Sequence, residues 1–450
     1  TPVVPIKTRI RPKGLLGICN LGNTCYMNSA IQAFSHNYPL TYFLFSEKDK
    51  IHRTLLKNAR ILFKDDAAFS LDAHDNIVPL ELRKKIQDPD YHPSMLTDEE
   101  CTIVCNHSIT VQLIKLLEAM WGLSPLTRIS PVSFRKVFLK AWTKLFNGYG
   151  QHDGEEAYSC ILQRMQEELA QKVSVKFVNK TPTVTEFLEF KNQIHEKINC
   201  PTTTLEEKME LYNLFLKKKQ EMPTECLIVE AYRQMKEYYN NCYSRITEIY
   251  TSFQHNITHC PNCGYTNNKF QPELNLSLPM PKKYGHEYSH GGMLNIYDCM
   301  AEYCKEEVLD DNNVWRCEKC QQLVRAVKKT NIWKAPEILL IQLKRFDASR
   351  LTKDNRLVVY PLEHLDISSM ISPANYCKED CYKYKLQCVI NHSSSTMHGG
   401  HYYTYCLDED SGLWFNFDDE IVSPIPMSNI VSNTAYSLFY MREDFIQTTD

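Results

Sequence analysis

The first half of the chain is dominated by apolar residues at helical spacing. The pattern predicts one helix over residues 26–34, helical structure interrupted at Pro131 over 108–146, and another helix that begins at Asp153. The apolar face of the first of these helices consists of Met27, Ala30, Ile31 and Phe34, and that of the last consists of Ala157, Ile161, Met165 and Leu169.

Residues 173–249 form a predicted helical insertion. No glycine occurs between Glu155 and Cys263, and Pro201 and Pro223 are predicted to separate its helices. Apolar residues recur at helical spacing through its second half at Ile228, Ala231, Met235, Tyr238, Cys242, Ile246 and Ile249.

Beyond Cys260 the pattern changes to that of strands. Residues 338–343 form an apolar run typical of a buried strand, and residues 382–390 alternate between apolar and polar. Further strands are predicted at 402–407, 414–417 and 436–441. Because the helices come first and the strands follow, we expect an α+β architecture.

Composition and charge narrow the class of protein. A chain of 450 residues with 43% hydrophobic residues can bury a large core, and its net charge of −3 argues against a general nucleic-acid binder. No apolar run has the length of a membrane span, and the lead-in at 1–13 has no apolar signal-peptide core. We therefore expect the 18 cysteines to be reduced or metal-bound, in a cytoplasmic and/or nuclear protein.

Cys25 is the candidate nucleophile. It lies where a loop is predicted to meet a helix, and a helix N-terminus lowers the pKa of a thiol. Gly22 and Asn23 suit a tight backbone just before it, and Asn20 can place its side-chain amide as an oxyanion donor. By itself, a cysteine at a helix start is more often a buried structural residue.

His401 is the candidate general base, with His398 as its nearest competitor. A base needs a partner that fixes the orientation of its ring, and Asp418 and Asp419 follow on a predicted strand. Taken alone, a single histidine is usually structural, and two adjacent aspartates usually form a solvated turn.

The segments around these residues resemble those of a known family. Residues 20–29 with Gln32 resemble the cysteine box of the ubiquitin-specific proteases, which are papain-like deubiquitinases. Residues 397–402 and 414–419 resemble the histidine box of the same family. The resemblance runs from about residue 14 to residue 442, and its main gap is the helical insertion.

The resemblance implies catalytic roles for five residues. Cys25 would be the nucleophile, His401 the base and Asp418 its orienter. Asn20 would stabilise the oxyanion. Asp419 would be a second carboxylate near the oxyanion region, to which some family members shift the orienting role.

Residues 151–156 allow both a structural and a functional interpretation. Asp153 and Glu156 form a capping box at a helix start, and the segment also resembles the family's Gln-Gln-Asp-Ala-x-Glu-Phe motif, whose acids line the channel for the substrate tail. Ala157 departs from the usual Phe or Leu, and residues 392–395 depart from the usual His-Ser-Gly. The substrate-binding residues implied are Gln151, Asp153, Glu156, His392 and Tyr402.

Two Cys-x-x-Cys knuckles form a candidate metal site. Cys260 and Cys263 pair with Cys317 and Cys320, a set that suits a closed tetrahedral zinc with a structural role. Redox-active pairs are the alternative chemistry. Cys299 and Cys304 are competing ligands that lack knuckle spacing.

The resemblance implies a papain-like cysteine protease with a helical thumb, an antiparallel palm sheet and zinc-ribbon fingers. Within a catalytic domain at 14–450, the thumb is expected at 14–172, the insertion at 173–249, mainly fingers at 250–345 and mainly palm at 346–450. The implied activity is hydrolysis of the isopeptide or peptide bond at the C-terminal glycine of ubiquitin.

Two other functions remain open at this point. The first alternative is an inactive or partner-activated ubiquitin-binding scaffold, which a complete catalytic set argues against. The second, more distant alternative is a zinc-dependent nucleic-acid module. It is disfavoured because the chain's only marked basic run is 217–219. The expected partners are ubiquitin or ubiquitin-conjugated proteins. A regulatory protein is expected, if one binds, at the insertion. Neither nucleic acid nor membrane is an expected partner.

Overall fold

A computed structural model describes residues 14–63, 78–122, 126–142, 144–146, 150–177, 180–281, 293–347, 352–375, 382–394 and 399–445. The predicted lead-in at 1–13 and the competitor His398 lie outside these ranges. None of the helices within them combines the length and the hydropathy that a membrane span requires.

The predicted helices form. The helices within the described ranges are α1 (Cys25–Ser35), α2 (Tyr38–Ser46), α3 (Lys48–Lys57), α4 (Leu80–Gln87), α5 (Asp98–Asn106), α6 (Ile109–Trp121), α7 (Val132–Ala141), α8 (Gly154–Leu169), α9 (Pro182–Asn199), α10 (Leu205–Glu221), α11 (Pro223–Cys242), α12 (Arg245–Tyr250) and α13 (Ile296–Cys304). Pro131 precedes α7, Pro201 separates α9 from α10, and Pro223 begins α11, as the breaks in the periodicity predicted.

The strands come mainly after residue 250, as expected for an α+β fold. The strands are β1 (Gly17–Ile18), β2 (Arg128–Ile129), β3 (Ser252–His259), β4 (Thr266–Glu273), β5 (Leu276–Pro279), β6 (Glu307–Val308), β7 (Trp315–Arg316), β8 (Leu323–Val324), β9 (Val327–Lys334), β10 (Ile338–Lys344), β11 (Phe346–Asp347), β12 (Thr352–Lys353), β13 (Leu365–Asp366), β14 (Lys383–Ser393), β15 (His401–Asp408), β16 (Leu413–Asp418), β17 (Ile421–Ile425) and β18 (Ala435–Arg442).

Among the described residues, two sheets contain twelve of these 18 strands, and β1–β2, β7–β8 and β11–β12 form separate two-stranded pairs. The larger sheet has the order β17-β16-β15-β14-β18-β10-β5, with β13 also paired to β14, and its pairs are antiparallel except β10 with β5. The smaller sheet has the order β4-β3-β9-β6 and is antiparallel. The β7–β8 hairpin lies close to it in sequence and carries the second cysteine knuckle.

Helix α1 is the buried centre of the helical half. Every one of its residues is buried, because α8 covers one side of it and β14, β15 and β16 cover the other. Phe34 stacks on Tyr158 of α8 with ring centroids 3.9 Å apart, and Tyr158 packs on Phe439 of β18 at 4.7 Å. This packing fixes the N-terminus of α1, with Cys25, against the start of β15.

The helical insertion has a small core of its own. In this core Phe187 of α9 and Ala231 of α11 pack with Phe253 and Trp333 of the smaller sheet. Helix α12 differs, because Ile246 and the rest of its apolar face belong to the core around α1. Of the predicted insertion, it is therefore α9, α10 and α11 that pack apart from the main core.

Candidate active site and metal centre

Asn20 organises the loop that delivers Cys25 to the start of α1. Its Oδ1 accepts hydrogen bonds from the backbone nitrogens of Gly22, at 2.9 Å, and of Thr24, at 3.2 Å. Gly22 has φ +94° and Asn23 has φ +51°, which is the left-handed region that glycine adopts without strain. The tight backbone predicted before Cys25 is confirmed.

The other end of the Asn20 side chain contacts Asp419. Asn20 Nδ2 donates to Asp419 Oδ2 at 2.8 Å, and Asn28 Nδ2 donates to Asp419 Oδ1 at 2.7 Å. The backbone of Asp419 is held as well, because Ile18 N donates to its carbonyl at 2.7 Å. Since an amide nitrogen carries two protons, this bond leaves one N–H of Asn20 available to donate, which the predicted oxyanion role requires.

His401 and Asp418 form a hydrogen-bonded histidine–carboxylate pair. His401 begins β15 and Asp418 ends the neighbouring β16, which places His401 Nε2 2.5 Å from Asp418 Oδ1. The two side chains are 42% and 40% exposed. The bond occupies Nε2, so Nδ1 is the nitrogen that can exchange a proton with a nucleophile.

Cys25 lies beside this pair without engaging it. Burial raises the pKa of the Cys25 thiol, and the negative charge of Asp419 adds to that effect. The backbone amide of Tyr402 in β15 lowers the pKa, and so do the amides of Tyr26 and Cys25 at the helix start, but burial outweighs all three. Within the described part of the chain, no hydrogen bond joins Cys25 to His401.

The predicted tail-binding residues gather around Asp153. Asp153 caps α8, with its Oδ1 accepting from the backbone nitrogens of Glu155 and Glu156, which confirms its half of the predicted capping box. The reciprocal bond from Asp153 N to the carboxylate of Glu156 is absent among the described residues. Gln151 Nε2 donates to the carbonyl of Gly400 at 3.1 Å, next to His401. Gln151 and Glu156 are exposed, whereas Tyr402 is buried. Their roles toward a substrate stay predictions.

His392 lies beneath the turn that carries His401. It is 3% exposed, and its ring packs on that of Tyr402 with centroids 4.5 Å apart. Burial, together with the charge of Lys353, lowers the pKa of His392 to about 4, so the ring is neutral near pH 7. A Cβ on Gly400 would lie 2.4 Å from His392 Nε2. This position suits support of the turn, and a direct contact with substrate stays a prediction.

Sequence reasoning did not find the network that joins α8 to the larger sheet. Tyr436 OH donates to Asp153 Oδ2 at 2.7 Å and accepts from Gln342 Nε2 at 2.9 Å. The buried carboxylate of Glu155 accepts from Gln342 at 3.2 Å and from Asn275 at 2.6 Å, and burial raises its pKa. These residues have no local signature, since Tyr436 and Gln342 look like ordinary strand residues.

The four predicted zinc ligands converge. The sulfur atoms of Cys260, Cys263, Cys317 and Cys320 all lie within 4.8 Å of one another. Cys260 Sγ is 3.9 Å from Cys320 Sγ, and Cys263 Sγ is 3.6 Å from Cys317 Sγ. Four thiolates at about 2.3 Å from one zinc ion would be about 3.8 Å apart, so the residues fit the metal.

The two knuckles have the same backbone form. Gly264 N donates to the carbonyl of Cys260 at 3.0 Å, and Gln321 N donates to that of Cys317 at 2.9 Å. Both donors have positive φ, +70° and +59°. The competing ligands lie elsewhere, because Cys299 is buried in α13 and Cys304 ends that helix, in a different core.

Comparisons with known proteins identify the family of this chain. A family model described as ubiquitin carboxyl-terminal hydrolase matches residues 16–440. The chain is 46% identical over 437 residues to a probable ubiquitin carboxyl-terminal hydrolase of Acanthamoeba polyphaga mimivirus. This alignment covers 97% of this chain and 92% of the viral protein. The chain is 28% identical over 432 residues to ubiquitin carboxyl-terminal hydrolase 2 of Homo sapiens, covering 95% of this chain and 55% of that protein, so it spans about half the length of the human relative.

A solved structure extends the likeness to the fold. A chain of the SAGA Ubp8/Sgf11/Sus1/Sgf73 DUB module bound to ubiquitin aldehyde matches with a TM-score of 0.55 and 20% identity. The match covers 97% of this chain and 72% of that one, and at this identity it concerns the fold. Because the family model spans nearly the whole chain and the viral relative is 46% identical to it, this chain belongs to the ubiquitin carboxyl-terminal hydrolase family.

Proposed function

We propose that this chain is a deubiquitinase that hydrolyses the isopeptide or peptide bond at the C-terminal glycine of ubiquitin, with Cys25 as its nucleophile. The observation that carries the proposal is the His401–Asp418 pair at the starting edge of β15, where the backbone amide of Tyr402 reaches the thiol of Cys25. These contacts support the proposal, because thiol-dependent acyl transfer requires a base, its orienter and a nucleophile close to one another.

In the first half of the reaction His401 Nδ1 takes the proton of the Cys25 thiol. The sulfur attacks the carbonyl carbon of the terminal glycine, and the negative oxygen that forms accepts hydrogen bonds from Asn20 Nδ2 and the backbone amide of Cys25. The carbon–nitrogen bond then breaks, and His401 gives its proton to the leaving amine. Asp418 holds the ring and stabilises its charged form.

In the second half a water molecule hydrolyses the thioester on Cys25. His401 takes a proton from the water, whose oxygen attacks the same carbonyl carbon through the same oxyanion contacts. The carbon–sulfur bond breaks, and the thiolate regains its proton from His401. The acid of ubiquitin is released, and the protein returns to its starting state.

Ubiquitin binding is proposed to bring Cys25 and His401 together. In the free chain no hydrogen bond between them occurs among the described residues, and burial keeps the pKa of the thiol raised. Asp153, whose second oxygen is held by Tyr436, lies next to Gln151 and the turn at Gly400. A tail bound along these residues would press on the turn that carries His401.

The four converged cysteines are proposed to hold structural zinc. A Zn²⁺ ion bound there would fix the two knuckles to each other and has no position left for substrate. Free catalytic and metal-binding thiols also need a reducing compartment, so we propose a cytoplasmic and/or nuclear location. A purely scaffolding role is not favoured, because Asn20, Cys25, His401 and Asp418 are all present.

The test is reaction of the purified chain with ubiquitin that carries a thiol-reactive electrophile at its C-terminus. We expect a covalent adduct with the mass of one ubiquitin, and none with Cys25→Ala or with a ubiquitin-like modifier carrying the same group. A folded, zinc-loaded chain that forms no adduct would overturn the proposal. So would an adduct that persists undiminished in Cys25→Ala.

A further inference from the structure

Helix α10 exposes a stripe of large apolar side chains. Leu205, Met209, Tyr212 and Leu216, here called the α10 stripe, are 78%, 61%, 55% and 38% exposed. Their spacing of four, three and four residues places them within an arc of about 60° on the helix surface. No residue of α10 is buried, which sets this helix apart from α9 and α11 beside it.

The α10 stripe does not face the helices that α10 already contacts. The half-buried residues of α10 that face α9 and α11 include Leu211 and Phe215, and Phe215 lies 6.4 Å from the ring of Phe187 in α9. The α10 stripe is turned roughly a quarter of a circle or more away from them. It is thus a second apolar face on a helix whose first face is already packed.

We propose that the α10 stripe pairs with the same stripe of a second copy of this chain, in antiparallel orientation. A spacing of four, three and four is that of the seam of a two-helix coiled coil. In the antiparallel arrangement Leu205 packs opposite Leu216 of the second copy, and Met209 packs opposite Tyr212 of the second copy. One two-fold axis generates all four layers, so the interface closes on itself.

The charges beside the stripe favour this occupant and this orientation. Glu206 and Lys217 lie on the same flank of the stripe at opposite ends of the helix. Both are exposed, and neither has a side-chain partner among the described residues. The antiparallel pairing brings Glu206 of each copy close to Lys217 of the other, which gives two equivalent ion pairs. A parallel pairing instead leaves Glu206 and Lys217, which are 11 residues apart, about 16 Å apart along the helix axes.

The size of the interface sets its expected strength. Stable interfaces bury about 1,200–2,000 Å² in total, and four side chains on one helix of each copy bury less. We therefore expect a reversible dimer with a dissociation constant in the micromolar range. This proposal is independent of the proposed catalytic function, because α10 contributes nothing to the site around Cys25.

Sedimentation velocity of the purified chain, from micromolar to submillimolar concentration, tests the proposal. We expect the mean mass to rise toward twice that of the monomer, and Met209→Glu to weaken the dimer by about tenfold or more. Leu214→Glu is the matched control, because Leu214 is 49% exposed on the opposite side of α10. It should leave the dimer unchanged, and circular dichroism would verify that each variant is folded.

A charge exchange tests the orientation. Glu206→Lys should weaken the dimer through repulsion from Lys217, and the double change Glu206→Lys with Lys217→Glu should restore it. A chain that stays monomeric at every concentration would overturn the proposal. Equal weakening by Met209→Glu and Leu214→Glu would place the interface elsewhere, and a double variant no stronger than Glu206→Lys would overturn the antiparallel pairing.

Discussion

The side-chain amide of Asn20 donates to the carboxylate of Asp419 over 2.8 Å, across 399 residues of the chain. The preceding residue, Asp418, instead contacts His401 at 2.5 Å. Two adjacent carboxylates therefore serve different parts of the site. Asp418 holds His401, and Asp419, also bound by Asn28, holds the loop that carries Asn20.

Replacing each carboxylate should give a different kinetic signature. Asp418→Ala removes the partner of His401, so we expect kcat to fall by about 10²–10⁴ and the acidic limb of the pH profile to move. Asp419→Ala releases Asn20, so we expect a fall of up to about 10²–10³ without movement of that limb. The measurement is kcat/KM against pH with a fluorogenic ubiquitin substrate. A shifted limb in Asp419→Ala alone would reverse the assignment of the two aspartates.

The thiol of Cys25 should react as a buried thiol in the free chain. Burial raises its pKa, so its thiolate fraction, and with it the rate of alkylation, should keep rising above about pH 8.5, where an ordinary thiol is half ionised. Because no hydrogen bond to His401 is present among the described residues, His401→Ala should leave this profile unchanged. Site-resolved mass spectrometry of iodoacetamide labelling measures it. The expectation would be contradicted if the alkylation rate of the wild type reached its plateau well below neutral pH and His401→Ala lost that plateau. Such a result would show a preformed ion pair between Cys25 and His401.

A methyl group on Gly400 should disturb the turn that carries His401. Gly400 has φ +136°, and an added Cβ would lie 2.4 Å from Nε2 of His392, which is too close for any contact. Gly400→Ala should therefore lower kcat by at least about tenfold, because a small misplacement of a base is costly. Gly412→Ala is the matched control, since Gly412 also has positive φ but nothing within 4 Å of its added Cβ. Both should lose some stability, and equal kcat values would contradict the role given to the turn.

The elements of the site follow from local sequence, and its contacts do not. Periodicity was sufficient to predict α1 and the strands that begin near His401 and Tyr436, because each buries one regular face. The cysteine knuckles were predictable for a similar reason, since their ligand spacing is itself local. The hydroxyl of Tyr436 gave no such signal, because it meets Asp153 only when α8 packs against β18.

Two further features depend on tertiary packing. Ile246 continues the helical periodicity of the insertion, yet α12 packs in the core around α1. Apolar periodicity predicts that a helix buries one face, but it does not predict which core that face packs in. The loop and helix start at Cys25 predicted a lowered thiol pKa. Burial among the surrounding elements raises it instead, and the extent of that burial cannot be read from local sequence.

The hydroxyl of Tyr436 should matter for substrate binding more than for chemistry. Tyr436→Phe removes the hydrogen bond that fixes Asp153 Oδ2, so we expect a loss of about 1–2 kcal/mol in stability and a several-fold rise in KM with little change in kcat. Tyr440→Phe is the control, since it removes a 2.7 Å bond to the carbonyl of Pro361 from the same strand, away from Asp153. A KM that rises equally in both variants would mean that general destabilisation, and not the placement of Asp153, is responsible.

Zinc should stabilise the cysteine knuckles without taking part in catalysis. The core around them is small, with Cys260, Cys317, Val324 and Ala326 as its buried members, so apolar burial is too small to hold the segment. Cys317→Ser should remove bound zinc, measured by elemental analysis, and lower Tm by several degrees, because zinc binding contributes folding free energy directly. Cys242→Ser, at the exposed end of α11, should change neither quantity. Near-normal kcat in zinc-depleted protein that is still folded would agree with a closed structural site, whereas an unchanged Tm in a zinc-free Cys317→Ser chain would contradict it.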